Sequence, residues 1–174
     1  MFKKFKKNDA IITNQIRSKL LTKHLYNLTS INSVRLTLNL NKLKSFNDDI
    51  ILEGLFLLEF FSGLKGNINY YKKMYQEVNL QIATILRKSY VYYLLLIFKI
   101  FYFPIVIRRN VLLTTSFDKL SNYSFTLSDV NMLLLLPDIY FKWNTPINCF
   151  FHLNSRKLEK SKLFLSYWNF PQIK

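Results

Sequence analysis

The residues of this chain that could do chemistry are mainly cationic, amide and aromatic side chains beside segments with regular apolar patterns. Residues 41–45, Asn-Lys-Leu-Lys-Ser, form a cationic stretch directly after an alternating segment. In residues 70–75, tyrosines interleave with two lysines. Lysine neutralises phosphate, while asparagine and tyrosine hydrogen-bond to unpaired bases or stack on them. These residue types indicate the binding of a polyanion.

Residues for catalysis or metal binding have no recognisable arrangement. His152, Asp138 and Ser155 could be combined into a triad, but they lack a local motif, and a histidine in an alternating strand is more often structural. His24 and His152 are too far apart in sequence to indicate a zinc site. The single cysteine, Cys149, forms no disulfide within the chain and is expected in the core. We therefore expect no enzymatic activity, no metal and no cofactor.

Composition limits the class of protein further. The chain has 174 residues, 25 Lys and Arg against 10 Asp and Glu, a net charge of +15, and 50% hydrophobic residues. The hydrophobic content is too high for a disordered chain. The positive charge indicates that the surface binds a polyanion or an anionic membrane. We expect one domain over residues 11–174, preceded by a basic arm at 1–10. The abundance of Lys, Asn, Ile, Leu, Phe and Tyr, which A+T-rich codons favour, is typical of an organellar genome.

Residues 90–107 are the most apolar stretch and leave two interpretations open. The stretch just reaches the length of a transmembrane helix, but Lys99 lies at its middle, and the basic flanks show no inside/outside asymmetry. As a helix packed under a sheet, it would bury one face. That predicted core face consists of Tyr90, Leu94, Ile97, Phe101 and Ile105. The first interpretation is a small basic membrane protein anchored by residues 90–107, and the second, which we favour, is an RNA-associated domain.

The elements that must position these residues follow from apolar periodicity. We predict helices over residues 11–28, 48–64, 89–103 and from a cap at Asn154 or Ser155 to about 168. We predict strands over 34–40, 68–75, 79–88, 123–128 and 147–153, with an irregular stretch over 108–121 and a short apolar run at 133–136. This order predicts an α+β fold, an antiparallel sheet with helices packed on one face.

An ordered set of short motifs adds a family resemblance. Ser116-Phe117-Asp118 followed by Asn122-Tyr123-Ser124 resembles the SFDGRGNYSLGI motif of the L-five family of large-subunit ribosomal proteins, which carry 5S ribosomal RNA. Similar motifs occur in the family's order from about residue 17 to the end. They are Leu38-Asn39-Leu40, Phe60 to Lys65, Tyr71-Lys72-Lys73, Thr84 to Arg87, Phe103 to Arg108, Pro137-Asp138-Ile139 and Trp168 to Pro171.

The resemblance implies an L-five-like fold and a structural role in the mitochondrial large ribosomal subunit. The partners it implies are 5S and large-subunit rRNA in the central protuberance, other large-subunit proteins, a small-subunit head protein across the intersubunit bridge, and peptidyl-site tRNA. It implies no membrane partner, and the organellar codon bias suits an organelle-encoded matrix protein. The expected RNA-binding residues are Asn39, Asn41, Lys42, Lys44, Lys72, Lys73, Arg87, Lys88, Arg108, Arg109, Asn122 and Tyr123.

Two departures from the family pattern affect the expected contacts. The glycine-rich loop after the first strand is replaced by residues 41–44, so that lysine side chains would take over the approach to RNA. The long loop that implies contact with tRNA is reduced to a few residues around 75–79.

Overall fold

A computed structural model describes residues 18, 29–40, 48–72, 78–104, 115–127, 145–155, 157–168 and 170. The predicted N-terminal arm, almost all of the helix predicted at 11–28 and the apolar run at 133–136 lie outside these residues. The side chains of residues 71, 72, 78, 79, 115, 116 and 167 lie outside the description as well.

Six strands form one sheet in the described part of the chain. They are β1 (Ile31–Asn39), β2 (Asn67–Lys72), β3 (Val78–Arg87), β4 (Thr115–Phe117), β5 (Tyr123–Leu127) and β6 (Ile147–Leu153). The strand order is β2-β3-β1-β6-β5-β4, and all neighbours are antiparallel. The five predicted strands are confirmed, because alternating apolar and polar residues suit a sheet with one buried face.

The prediction of an irregular stretch up to residue 121 is wrong at β4. Thr115 to Phe117 pairs with β5, with Phe117 opposite Tyr123. Three residues are too few to show the two-residue period of a strand, so β4 could not be predicted from the sequence pattern.

Among the described residues, three helices pack on one face of the sheet, which confirms the predicted α+β fold class. They are α1 (Asp48–Ser62), α2 (Ser89–Ile97), which continues as a π-helical turn over Phe98–Tyr102, and α3 (Leu158–Tyr167). Asp48 and Asp49 lie in the first turn of α1, where carboxylates favour a helix N-terminus. Gly63 ends α1 in a left-handed conformation, with φ of 64°.

The cap predicted for α3 is wrong. The helix begins at Leu158, and Lys157 precedes it without a side-chain cap. The Ser155 hydroxyl forms a local turn instead, since it accepts from the Lys157 N–H (3.3 Å) and donates to the Lys157 carbonyl (3.1 Å). The Asn154 Oδ1 atom accepts a hydrogen bond of 2.8 Å from the backbone N–H of Ser30, which joins the end of β6 to the start of β1.

The core lies between the helices and one face of the sheet. Its centre is aromatic: Phe125 packs against Phe151 with ring centroids 5.8 Å apart, and against Phe98 of the π-helical turn at 5.4 Å. Each buried ring of this kind contributes about 1.5 to 3 kcal/mol. Cys149 is fully buried among these residues, as predicted, and burial raises the pKa of its thiol.

The predicted core face of α2 is confirmed at Leu94 and Ile97, which lie in or against the core, and is wrong at Tyr90 and Phe101. The buried residues are Val91, Leu94, Leu95, Phe98, Tyr102 and Phe103. Of the predicted residues only Leu94 is fully buried, Tyr90 and Phe101 are 43% and 38% exposed, and Ile105 lies outside the described residues. Because this helix is apolar on nearly every side, periodicity could not select one face. The π-helical turn then shifts the phase of the residues after Ile97.

Lys99 is exposed in the π-helical turn that follows α2, and its Nζ atom lies 5.8 Å from the ring centroid of Trp168. In the described part of the chain, no helix combines the length and the apolar character needed to cross a bilayer.

Candidate nucleic-acid interface

The sheet face that turns away from the helices is defined by strand register, and we call it the open face. Directly opposed residues in an antiparallel sheet point to the same side. Arg35 therefore shares its side with Ile85 of β3 and Phe150 of β6. The described members of this face are Ser33, Arg35, Thr37, Asn39, Asn67, Asn69, Gln81, Ala83, Ile85, Arg87, Ser124, Thr126, Asn148, Phe150 and His152.

A chain of hydrogen bonds crosses the open face between β1 and β3. The Arg35 Nη2 atom donates to Gln81 Oε1 at 3.2 Å, and Gln81 Nε2 donates to Asn39 Oδ1 at 2.8 Å. These bonds fix the orientation of both amides. Arg35 Nε and Thr37 Oγ1 are buried, and each is without a hydrogen-bond partner among the described residues. Both atoms are shielded from solvent, so the groups of this network that can meet a ligand are the exposed amide of Asn39 and the part-buried Gln81 and Arg35 Nη2.

The other half of the open face combines a polar pair with exposed apolar groups. Thr126 Oγ1 donates to Asn148 Oδ1 at 3.0 Å between β5 and β6. Phe150 and Ile85 are 40% and 51% exposed, on the strands that flank Arg35. An aromatic ring beside a guanidinium and fixed amides offers both stacking and hydrogen bonding to an unpaired base.

Charge on this surface is positive. The open-face positions include Arg35, Arg87 and the exposed His152, and none of the described ones is acidic. Lys88 follows at the end of β3, exposed and with φ of 54° and ψ of −120°, a conformation that favours glycine. The structure thus holds a cation in a strained backbone position at the rim of the open face.

The structure locates only part of the predicted RNA-binding set. Asn39 is exposed on the open face, and Arg87 and Lys88 are exposed at one end of it. Lys72 is the last residue of β2, and its side chain is outside the description. The remaining predicted cations and amide, which lie outside the described residues, are Asn41, Lys42, Lys44, Lys73, Arg108 and Arg109.

Tyr123 cannot serve as a stacking surface, and its assignment to RNA is wrong. The residue is 1% exposed, and its ring packs against those of Phe117 (5.1 Å) and Phe170 (5.7 Å). The alternation of Tyr123, Phe125 and Leu127 places all three on the core face, because β5 buries every second residue.

Asn122 has a structural role in the β4–β5 hairpin. Its Nδ2 atom donates to Asp118 Oδ2 at 2.8 Å, and its Oδ1 atom accepts from the Leu153 backbone N–H at 3.0 Å. Burial raises the pKa of Asp118, but hydrogen bonds from Asn122 and from the backbone of Leu120, with the nearby His152, outweigh burial and lower that pKa below its ordinary value of 3.8.

Sequence reasoning missed Arg35, Gln81, Asn148 and Phe150. Each lies at a polar or half-exposed position of an alternating strand. The two-residue period predicts which residues of a single strand share a face, such as Asn148 and Phe150 on β6. Which strands are neighbours, and therefore which of these residues meet, depends on sheet order.

Two members of the triad considered above, His152 and Ser155, lie among the described residues. His152 is exposed on the open face, Ser155 bonds to Lys157, and Asp138 lies outside the description. The part of the chain that the structure describes contains no cluster of three His, Cys, Asp or Glu side chains that could hold a metal.

Comparison with known proteins extends the description of the fold. No family model and no curated protein matches this chain. Among solved structures, Mth689, a DUF54 protein from Methanothermobacter thermautotrophicus, is similar, with a TM-score of 0.50 and 10% sequence identity. The similarity covers 80% of this chain and 96% of that protein. At this level of identity the likeness concerns the fold alone.

Proposed function

We propose that this protein is a structural RNA-binding component of a mitochondrial large ribosomal subunit and that the open face of its sheet contacts ribosomal RNA. The observation that carries this function is the Arg35–Gln81–Asn39 hydrogen-bond chain beside the exposed Phe150 ring. The net charge of +15 supplies the attraction to a polyanion. The ordered L-five-like motifs support 5S rRNA, or the RNA in its place, as the ligand.

Each part of the open face has a separate task in this function. Arg87 and Lys88, at one end, neutralise phosphates and set affinity. The amides of Asn39 and Gln81, already fixed by hydrogen bonds, meet base edges with little further loss of side-chain entropy. The Phe150 ring stacks on an unpaired RNA base, so an RNA loop fits this face better than a regular A-form duplex, whose bases are paired and stacked inside.

The same role includes the contacts that the family resemblance implies. These are other large-subunit proteins, a small-subunit head protein across the intersubunit bridge and, through the short connection between β2 and β3, peptidyl-site tRNA. No catalytic step is involved, because the protein holds RNA in place.

Fractionation of native mitochondria tests this function. We expect the protein to sediment with large ribosomal subunits in a sucrose gradient and to be released by high salt, because phosphate contacts weaken as salt rises. A protein that stays in the membrane pellet after carbonate extraction would instead support the anchor at residues 90–107. If the protein stays at the top of the gradient, separate from the RNA-containing subunits, the proposed role in the ribosome is contradicted.

A further inference from the structure

The hydrogen-bond chain on the open face runs in one direction only, and Arg35 sets that direction. Arginine has donors but no acceptor, so Gln81 must turn its Oε1 atom toward Arg35 Nη2, at 3.2 Å. The Gln81 Nε2 atom then faces Asn39 and donates to its Oδ1 atom at 2.8 Å. The orientation of both amides therefore follows from one residue.

That direction leaves mainly N–H groups for a ligand. The amide oxygens of Gln81 and Asn39 each accept one bond already, whereas none of the described residues accepts a bond from Asn39 Nδ2 or from Arg35 Nη1. Between β5 and β6, Asn148 Oδ1 accepts from Thr126, and Asn148 Nδ2 is left as a donor. A ligand rich in acceptor atoms matches such a surface.

Arg35 stands in a row with two exposed apolar side chains. It lies directly opposite Phe150 of β6 and Ile85 of β3, and residues paired in this way have Cβ atoms about 4.5 to 5.5 Å apart. Phe150 is the aromatic member of the row, and its exposed ring offers a face on which a base can stack. The edge of a base stacked there comes within reach of the Arg35 guanidinium.

The four RNA bases differ in what they present to a guanidinium. Guanine carries two acceptors, O6 and N7, on one edge, and they match the two terminal nitrogens of arginine. Adenine and cytosine place an amino group at the corresponding position, so that N–H would meet N–H, and uracil offers one carbonyl oxygen there. Guanine is therefore the base that satisfies the donors of Arg35 best.

The chain's own basic segments do not have this chemistry. Residues 3–7 and 17–23 carry lysine and arginine, whose side chains add donors and positive charge. They would repel Arg35 rather than satisfy it. An acceptor-rich polyanion is the occupant that both the charge and the direction of the hydrogen bonds favour.

We propose that the open face recognises an unpaired guanine of the bound RNA, which stacks on Phe150 and accepts hydrogen bonds at O6 and N7 from the terminal nitrogens of Arg35. Recognition of guanine rests on the proposed RNA-binding function and names the base that this surface selects. Gln81 is a positioning residue, because its Oε1 atom fixes the plane of the guanidinium. Asn39 Nδ2 and Asn148 Nδ2 donate to acceptors of neighbouring nucleotides.

Fluorescence anisotropy with short RNA hairpins tests this recognition on the full-length protein. All hairpins share one stem and a loop of uridines with a single variable base at its centre, which is guanine, inosine, 7-deazaguanine or adenine. We expect inosine, which keeps O6 and N7, to bind like guanine, and adenine to bind about 5- to 150-fold more weakly. The 7-deazaguanine hairpin lacks the N7 acceptor and should lie between them.

Charge-preserving variants assign the preference to Arg35. Arg35→Lys keeps the charge but replaces the planar fork by one ammonium group, so the guanine and adenine hairpins should bind with nearly equal affinity. Gln81→Leu removes the acceptor that orients Arg35 and should reduce the preference without a change in charge. Lys99→Arg, which exchanges the same two residue types in the π-helical turn after α2, should keep the full preference. Thermal melting curves show whether each variant is folded.

Three results would overturn the recognition of guanine. Equal affinity of the unaltered protein for the guanine and adenine hairpins would remove base selection and leave RNA binding, and with it the proposed function, intact. Equal weakening of both hairpins in Arg35→Lys would assign Arg35 to a phosphate. Failure of all four hairpins to bind would overturn both the recognition of guanine and RNA binding by the open face.

Discussion

Substitution of Arg35 by alanine tests the open face most specifically. In the folded protein Arg35 donates one hydrogen bond of 3.2 Å, to Gln81, and its buried Nε atom has no partner among the described residues. The loss of that bond should reduce the free energy of unfolding by about 0.5 to 1.5 kcal/mol, so the variant stays folded. Loss of a guanidinium contact to RNA should cost about 1 to 3 kcal/mol of binding free energy, or roughly 5- to 150-fold in Kd.

The assay is fluorescence anisotropy with the rRNA fragment that cross-links to the protein in native subunits, over a range of KCl concentrations. We expect Arg35→Ala to weaken binding and to reduce the slope of log K against log salt by about 0.7 to 0.9, if Arg35 meets a phosphate. Lys99→Ala is the matched control, because it removes one positive charge from the exposed side of the helix that α2 and its π-helical turn form. Equal losses in the two variants would mean that only net charge matters, which would refute recognition by the open face.

Three further predictions concern other parts of the chain. Lys88→Gly should raise the free energy of unfolding by about 1 kcal/mol, because glycine adopts φ of 54° without strain, yet it should weaken RNA binding; urea melts and anisotropy measure the two effects, and unchanged stability would contradict the strain. Asp118→Asn should destabilise the protein by about 1 kcal/mol near neutral pH, because two amides then face each other at Asn122. Folding lowers the pKa of Asp118, so the stability that its carboxylate contributes is present above the ordinary pKa of 3.8 and is lost as pH falls through the folded pKa. Thermal melts should therefore show a smaller difference in stability between the variant and the unaltered protein below pH 3.8 than at pH 7. Lys42→Ala/Lys44→Ala should reduce the salt slope by about one unit for each phosphate that these lysines neutralise, and an unchanged slope would remove residues 41–45 from the interface.

The sheet could be predicted from sequence because its strands are alternating and long. Val34, Leu36 and Leu38 alternate with polar residues on β1, and the burial of all three follows that period. β4 escaped prediction because three residues carry no period. The buried face of α2 escaped it because Tyr90 and Val91 are both apolar enough for a core, and only packing against the sheet distinguishes them.

The candidate site was predictable only in its chemistry. The sequence predicts that cations and amides bind RNA, but of the predicted residues only Asn39 takes part in the hydrogen-bond chain on the open face. Arg35, Gln81 and Phe150 come from three strands far apart in the chain, and they meet because β1 lies between β3 and β6. Sheet order therefore decides the interface, and sequence alone left it undetermined.

Ultraviolet cross-linking of native large subunits, followed by mass spectrometry of the RNA-linked peptides, tests the central claim most directly. We predict cross-links within β1, β3 and β6, with Phe150 or its immediate neighbours carrying the nucleotide, and none on α1. Cross-links confined to the helical layer, with the open face protected by protein instead, would contradict the assignment of this face to RNA.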